Sequence, residues 1–246
     1  MAEIITEKIT LTVADGTSMH AFVARPATGK SPGLMVFQEA FGVTGHIRDV
    51  TSRFAREGYT AIASELFHRT APPGAELSYS DFPAVMPHIQ ALTNDGLQSD
   101  IRAAYSWLEK DPQTDARRIG CVGFCMGGRT SFLASATVPL QGAVSFYGGG
   151  IGPNERGPSL LPLVPQLNAP ILFFWGGLDK HIPPEQTRPI EEALQQAGKD
   201  FVNVKISFAD HAFLREGGPN YSPKAAALSL ALTKEFLETN VKNSAK

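Results

Sequence analysis

Residues 118–128 read Arg-Ile-Gly-Cys-Val-Gly-Phe-Cys-Met-Gly-Gly, and this stretch decides the fold. Its first six residues (118–123) carry Ile119, Cys121 and Val122 in a short run suited to a buried strand, and residues 127–136 read as the helix that follows. Between them, Gly123 and Gly127 stand two positions before and two positions after Cys125. That spacing belongs to a very tight strand-to-helix turn, where any larger neighbour would strike the backbone. The turn lifts the central side chain above the sheet. It also aims at that side chain the N-terminus of the helix, with its free N–H groups and partial positive charge. A sulfur placed there is favoured as thiolate. The bland alternative is a buried cysteine beside packing glycines, and the strand-turn-helix setting weighs against it. Cys121, inside the strand, reads as an inert core residue.

Outward from this turn, apolar strands and helical stretches alternate. Residues 4–13 and 19–25 alternate apolar and polar about Asp15-Gly16, the pattern of a β-hairpin. Strands are expected over 33–37, 60–63, 142–147, 171–175 and 201–208, and helices over 44–57, 100–110, 184–197 and 222–239. Near-continuous apolar strands alternating with helices imply a mostly parallel central sheet with helices on both faces. Two segments fall outside that rhythm. Residues 64–98 hold Pro72, Pro73, Pro83 and Pro87, and residues 148–169 are rich in Gly and Pro. Both read as loops over the carboxyl ends of the strands, where open α/β sheets bind ligands.

The 246 residues suffice for one large α/β domain spanning 1–246, with 64–98 inserted over the site. Apolar residues make up 43% and charged residues 19%, a globular balance, and the formal charge of -2 gives no reason to expect nucleic acid or an anionic membrane as partner. The chain has no apolar run of the roughly 18 residues a bilayer span needs. Its opening MAEIITEKITLTVADG lacks the basic start and apolar block of a secretory signal. Two cysteines four positions apart on one strand and its turn are too local to form a staple, so a reducing, cytoplasmic setting is expected. No cofactor and no metal is expected.

A cysteine nucleophile needs a base and the base needs an orienter. His211 follows the last strand, in the stretch 208–213, FADHAF, and is the expected base. His20, His46, His68 and His88 sit on the hairpin, the first helix or the insertion, and read as packed or solvated. His181 is the competitor. Asp179 leaves the strand at 171–175 through Gly176-Gly177-Leu178, where its carboxylate can hold the far nitrogen of His211. An ordinary turn aspartate is the alternative. The chain order nucleophile, acid, base, which is that of the α/β-hydrolase fold, favours the orienting role. Asp210, adjacent to His211, would point away from it. The stretch 38–42, Gln-Glu-Ala-Phe-Gly, runs off the third strand into the loop that lends an oxyanion-hole N–H in this fold, so Ala40 and Met126 are the expected backbone donors. Glu39 is an odd residue there, an acid facing a site built to hold negative charge.

Together these residues resemble the dienelactone hydrolases of the carboxymethylenebutenolidase type. The resemblance rests on residues 38–43 (QEAFGV), 123–128 (GFCMGG), 176–179 (GGLD) and 211–215 (HAFLR), in matching order and spacing over nearly the whole chain. It implies that Cys125, Asp179 and His211 form a triad. It implies that Glu39 holds the resting thiol neutral until substrate displaces it. It also implies that Arg215 binds a substrate carboxylate. The family's second such arginine has no counterpart in residues 78–86, and Arg69 sits earlier in the insertion. Phe67, Tyr79, Phe82, Tyr147 and Trp175 are candidates for the pocket lining or the core.

The expected chemistry is attack of a Cys125 thiolate on an ester or lactone carbonyl, a thioester intermediate, and hydrolysis by water that His211 activates. Thiolate leaves more readily than alkoxide or amine, so activated esters, enol lactones and thioesters are favoured over peptides. The expected partner is a small-molecule ester or lactone, and the expected state is a monomer or small homo-oligomer. Three other readings are a carboxylesterase or thioesterase of different range, a non-catalytic binding protein on the same fold, and a thiol redox pair of Cys121 and Cys125.

Overall fold

The computed structural model describes residues 3–154 and 157–244. The chain divides into two compact units, the first covering residues 1–120 and the second 121–245.

In the first unit the expected hairpin is present. Strand β1 (Ile4–Thr12) pairs antiparallel with β2 (Ser18–Pro26) from Ile4 opposite Pro26 to Thr12 opposite Ser18. Asp15 closes the turn by accepting from both the N–H and the hydroxyl of Thr17. Strand β3 (Ser31–Phe37), buried throughout, pairs parallel with β4 (Thr60–Ser64), and β4 pairs antiparallel with β2. Helix α1 (Gly45–Arg56) crosses between β3 and β4 and turns Ile47, Val50, Phe54 and Ala55 inward.

The segment 64–98 is not the plain loop its prolines imply. Helix α2 (Phe82–Gln90) lies within it, and α3 begins at Asn94, running to Lys110. Pro83 occupies the first turn of α2, where a missing N–H costs nothing, and the Asp81 carboxylate caps that turn by accepting from the Ala84 N–H. Thr93 caps α3 through the Gly96 N–H, and the helix begins six residues upstream of the expected start. Asp100 is buried in α3 and accepts both guanidinium nitrogens of Arg69 and lies 3.1 Å from Nε2 of His68. Arg69 is thereby committed to a structural ion pair.

The second unit is parallel throughout. Strand β5 (Thr114–Phe124), longer than expected at its start, leads into α4 (Met126–Ser135). Then come β6 (Ala143–Phe146), a short 3-10 turn at Leu161–Gln166, β7 (Ile171–Gly176), α5 (Pro184–Gln196), β8 (Phe201–Ile206) and α6 (Pro223–Leu237). The pairing runs β5, β6, β7, β8. Phe124, Phe146 and Phe174 stand side by side in register and stack at 5.1 and 4.6 Å, a rigid apolar floor at the carboxyl ends of the strands. Strand β8 stops at Ile206, two residues short of expectation, because the Ala209 N–H turns back onto the Ile206 carbonyl. Strands that are mostly parallel, alternating with helices in this order, are the α/β-hydrolase fold. Among the described residues no helix is long and apolar enough to cross a membrane.

Candidate active site

Cys125 occupies the bend between β5 and α4 with φ 56° and ψ -117°, a conformation that L residues rarely adopt and that costs on the order of 1–3 kcal/mol. Sterics around the bend hold it there. A Cβ at Gly123 would stand 1.9 Å from the Gly127 carbonyl oxygen, well inside contact distance. Backbone bonds fix the rest: the Cys125 N–H donates to Phe146 and its carbonyl accepts from Gly128. The bend stands at the start of α4, so the N-terminus of that helix begins beside Cys125.

His211 lies 86 residues downstream, yet its Nε2 is 3.2 Å from the Cys125 sulfur. On the other side of the ring, Nδ1 is 2.7 Å from an oxygen of Asp179. The second oxygen of Asp179 accepts the backbone N–H of His181 at 2.8 Å. A glycine pair makes this approach possible. A Cβ on Gly177 would lie 2.5 Å from the Cα of Ser207, so only glycine lets the end of β7 run this close to the segment leading into His211.

Electrostatics follow from these contacts. Burial alone would push the His211 imidazole down, but the Cys125 sulfur and the Asp179 carboxylate outweigh it and raise it to about 10. Burial would raise Asp179, and the same imidazole overrides that and holds the carboxyl below its usual range. Asp179 has a side chain only 1% exposed, so its charge acts on the ring with little screening. A sulfur, an imidazole and a carboxylate in line can pass one proton and hold the resulting cation.

The competitors separate cleanly. Asp210 takes the backbone N–H of its own neighbour His211 at 2.6 Å and is not the orienter. His181 sets its ring edge-on to His211 at 5.8 Å and donates its backbone N–H to Asp179. Cys121 is wholly buried, its thiol pushed up to about 12 chiefly by that burial, and both cysteines are free thiols. In the first unit, Glu39 and Ala40 follow β3 after Gln38 and are buried. Arg215 is half-buried, its backbone turning onto Ala212. Of the aromatic candidates, Tyr147, Phe67 and Trp175 are buried and Tyr79 and Phe82 exposed.

Tyr147, a pocket or core candidate, packs beside His211. It has φ 39°, and its ring packs 5.1 Å from that of His211 and 5.2 Å from that of Phe213. A large aromatic ending a strand and followed by three glycines (148–150) was the signal, since such a run lets the chain turn sharply beneath it.

Fold and site together define an α/β hydrolase that carries a thiol at its strand-to-helix bend. The sequence matches the model of the Dienelactone hydrolase family over residues 19–241, and the chain belongs to that family of hydrolases. It is 30% identical over 237 residues to the carboxymethylenebutenolidase of Pseudomonas putida, covering 95% of this chain and 96% of that one. A Salmonella typhimurium protein provisionally named a carboxymethylenebutenolidase is 36% identical over 228 residues, covering 90% of this chain and 83% of its own. A crystal structure from Klebsiella pneumoniae, provisionally named a dienelactone hydrolase, superposes with a TM-score of 0.87 at 32% identity, over 96% of this chain and 98% of that one.

Proposed function

We propose that the chain, acting as one catalytic domain, hydrolyses an ester or lactone of the dienelactone kind through Cys125, His211 and Asp179. The contact that carries the reading is His211 Nε2 at 3.2 Å from the Cys125 sulfur, with the opposite nitrogen on Asp179. The sulfur gives its proton to His211 and attacks the carbonyl carbon. The developing oxyanion is met by the N–H groups of Met126 and Ala40. The carbonyl re-forms as the C–O bond breaks, and the departing oxygen takes the proton, leaving a thioester. His211 then draws a proton from water, hydroxide displaces the thiolate, and the carboxylic acid leaves. Asp179 steadies the imidazolium in both halves.

In this reading Glu39 keeps the resting thiol protonated and gives way to bound substrate, as the family resemblance implies, and Arg215 takes a substrate carboxylate. The favoured substrates have good leaving groups, because the adduct otherwise reverts to thiolate and ester. Free thiols and the absence of a disulfide suit a cytoplasmic setting.

The test is an aryl ester assay with intact-mass detection of the acyl-enzyme. Cys125→Ala is expected to lose both turnover and the mass adduct, and iodoacetamide is expected to inactivate the wild type stoichiometrically. Retention of most activity in Cys125→Ala would eliminate the mechanism. A panel of lactones, aryl esters and thioesters, with and without a carboxylate, separates a dienelactone hydrolase from an esterase of other range.

A further inference from the structure

We propose that the exposed face of α6 is where two copies of this chain pair, helix against helix and antiparallel, about a twofold axis. The inference is independent of the hydrolytic mechanism.

Helix α6 is apolar on both sides. Ala225, Ala226, Ser229, Thr233, Phe236 and Leu237 face inward and are buried. On the opposite side Ala227, Leu228, Ala231 and Leu232 face solvent, with Leu228 55% and Leu232 37% exposed. A helix bordered only by water needs no such second face. Helix α1 of this chain has apolar residues on one side and Arg48, Asp49, Arg53 and Arg56 on the other.

Charge supplies the choice of occupant. Lys224, Leu228, Ala231 and Glu235 follow one another at four, three and four residues, a straight stripe along the helix. The stripe's cation stands in the first turn and its anion in the last, where exposed Lys234 flanks the stripe. That is the reverse of what an isolated helix favours, since the N-terminus already carries positive and the C-terminus negative partial charge. A second copy laid antiparallel removes the conflict. Lys224 then opposes the second copy's Glu235, the twofold repeats the pair at the other end, and Leu228 packs over the second copy's Ala231 with Leu232 beside it. Alanines at 227 and 231, one turn apart, leave room for the two backbones to approach closely. Phe208, 43% exposed, extends the patch, and the Lys224 ammonium sits 4.8 Å over its ring at the rim. The stripe is about 16 Å long at 1.5 Å per residue, so the contact belongs to the small interfaces and a weak dimer is expected.

Sedimentation of the full chain from about 1 to about 300 µM tests this, a range that brackets weak association. The wild type is expected to pass from monomer to dimer and stop there. Leu228→Glu is expected to abolish pairing. Lys224→Glu and Glu235→Lys are each expected to weaken it roughly tenfold, and the double exchange to restore it. All four variants lie on the surface, and unchanged aryl ester hydrolysis shows that they fold. A wild type that stays monomeric throughout overturns the proposal. So does a dimer indifferent to Leu228→Glu, a double exchange without rescue, or growth past the dimer.

Discussion

Asp179→Asn isolates what the buried carboxylate contributes to the proposed reaction. The substitution keeps the volume and removes the charge facing His211. Nδ1 lies 2.7 Å from the carboxylate oxygen, and because both charges are delocalised, their centres are about 4 Å apart. At an effective dielectric of about 20, a pair at that distance is worth about 4 kcal/mol. With the resting thiol held neutral, as proposed for Glu39, the sulfur charge that helps raise His211 is absent at rest and the imidazolium forms only on the way to each transition state, so most of this energy is lost from the barrier and not from binding. A fall in kcat of about a thousandfold is expected, with KM little changed. The assay is steady-state hydrolysis of an aryl ester, with thermal melting to show that the variant is folded. Asp210→Asn is the matched control, because that carboxylate accepts the backbone N–H of the same histidine and not its ring. Its loss is expected to be under about tenfold. If Asp179→Asn kept more than a tenth of the wild-type kcat, or if the two variants fell equally, the assignment of Asp179 as orienter would be wrong.

Other expectations follow from single contacts. Gly123→Ala places a methyl 1.9 Å from the Gly127 carbonyl oxygen and is expected to destabilise by more than about 3 kcal/mol in urea titration. The same change at Gly45, exposed at the start of α1 with nothing nearer than 3.8 Å, is expected to stabilise by about 0.5 kcal/mol; equal effects at the two sites would refute the steric argument. His211, raised from 6.5 to about 10, contributes stability that is full below pH 6.5 and lost as pH rises through about 10. Asp179, lowered from 3.8, contributes stability above that value and loses it on acidification. His211→Ala is therefore expected to flatten the alkaline side of the melting profile, and a profile parallel to wild type would contradict this. Arg215→Ala is expected to raise KM roughly tenfold to a hundredfold for carboxylated esters only, the size of a lost charge-assisted hydrogen bond; an equal loss on uncharged esters would remove its anion-binding role.

Local rules carried far in this chain. The bend at Cys125 was legible because its sterics are confined to five consecutive residues, and no distant contact is needed to require Gly123. The buried strands were legible for a similar reason, since β3, β6 and β7 are short, wholly buried apolar runs. The prolines of 64–98 misled because a proline's meaning depends on its place in a helix. Pro83 falls in the first turn of α2, where its lack of an N–H is harmless, and only the Asp81 cap fixes where that turn begins.

The sequence by itself determined the residue types of the site and the sharp turn that presents the sulfur, because both follow from chemistry within a few positions. Only the tertiary structure decided which imidazole and which carboxylate meet it. His181 and His211, Asp179 and Asp210 carry the same functional groups, and although chain order favoured His211 and Asp179, only the fold brings that pair to 2.7 Å. The choice was made where β7 and β8 run side by side and Gly177 lets the two chain ends close to within reach. Hydrogen bonds act over about 3 Å, whereas the residues they join here stand 32 and 86 positions apart in the chain. Folding alone sets that distance.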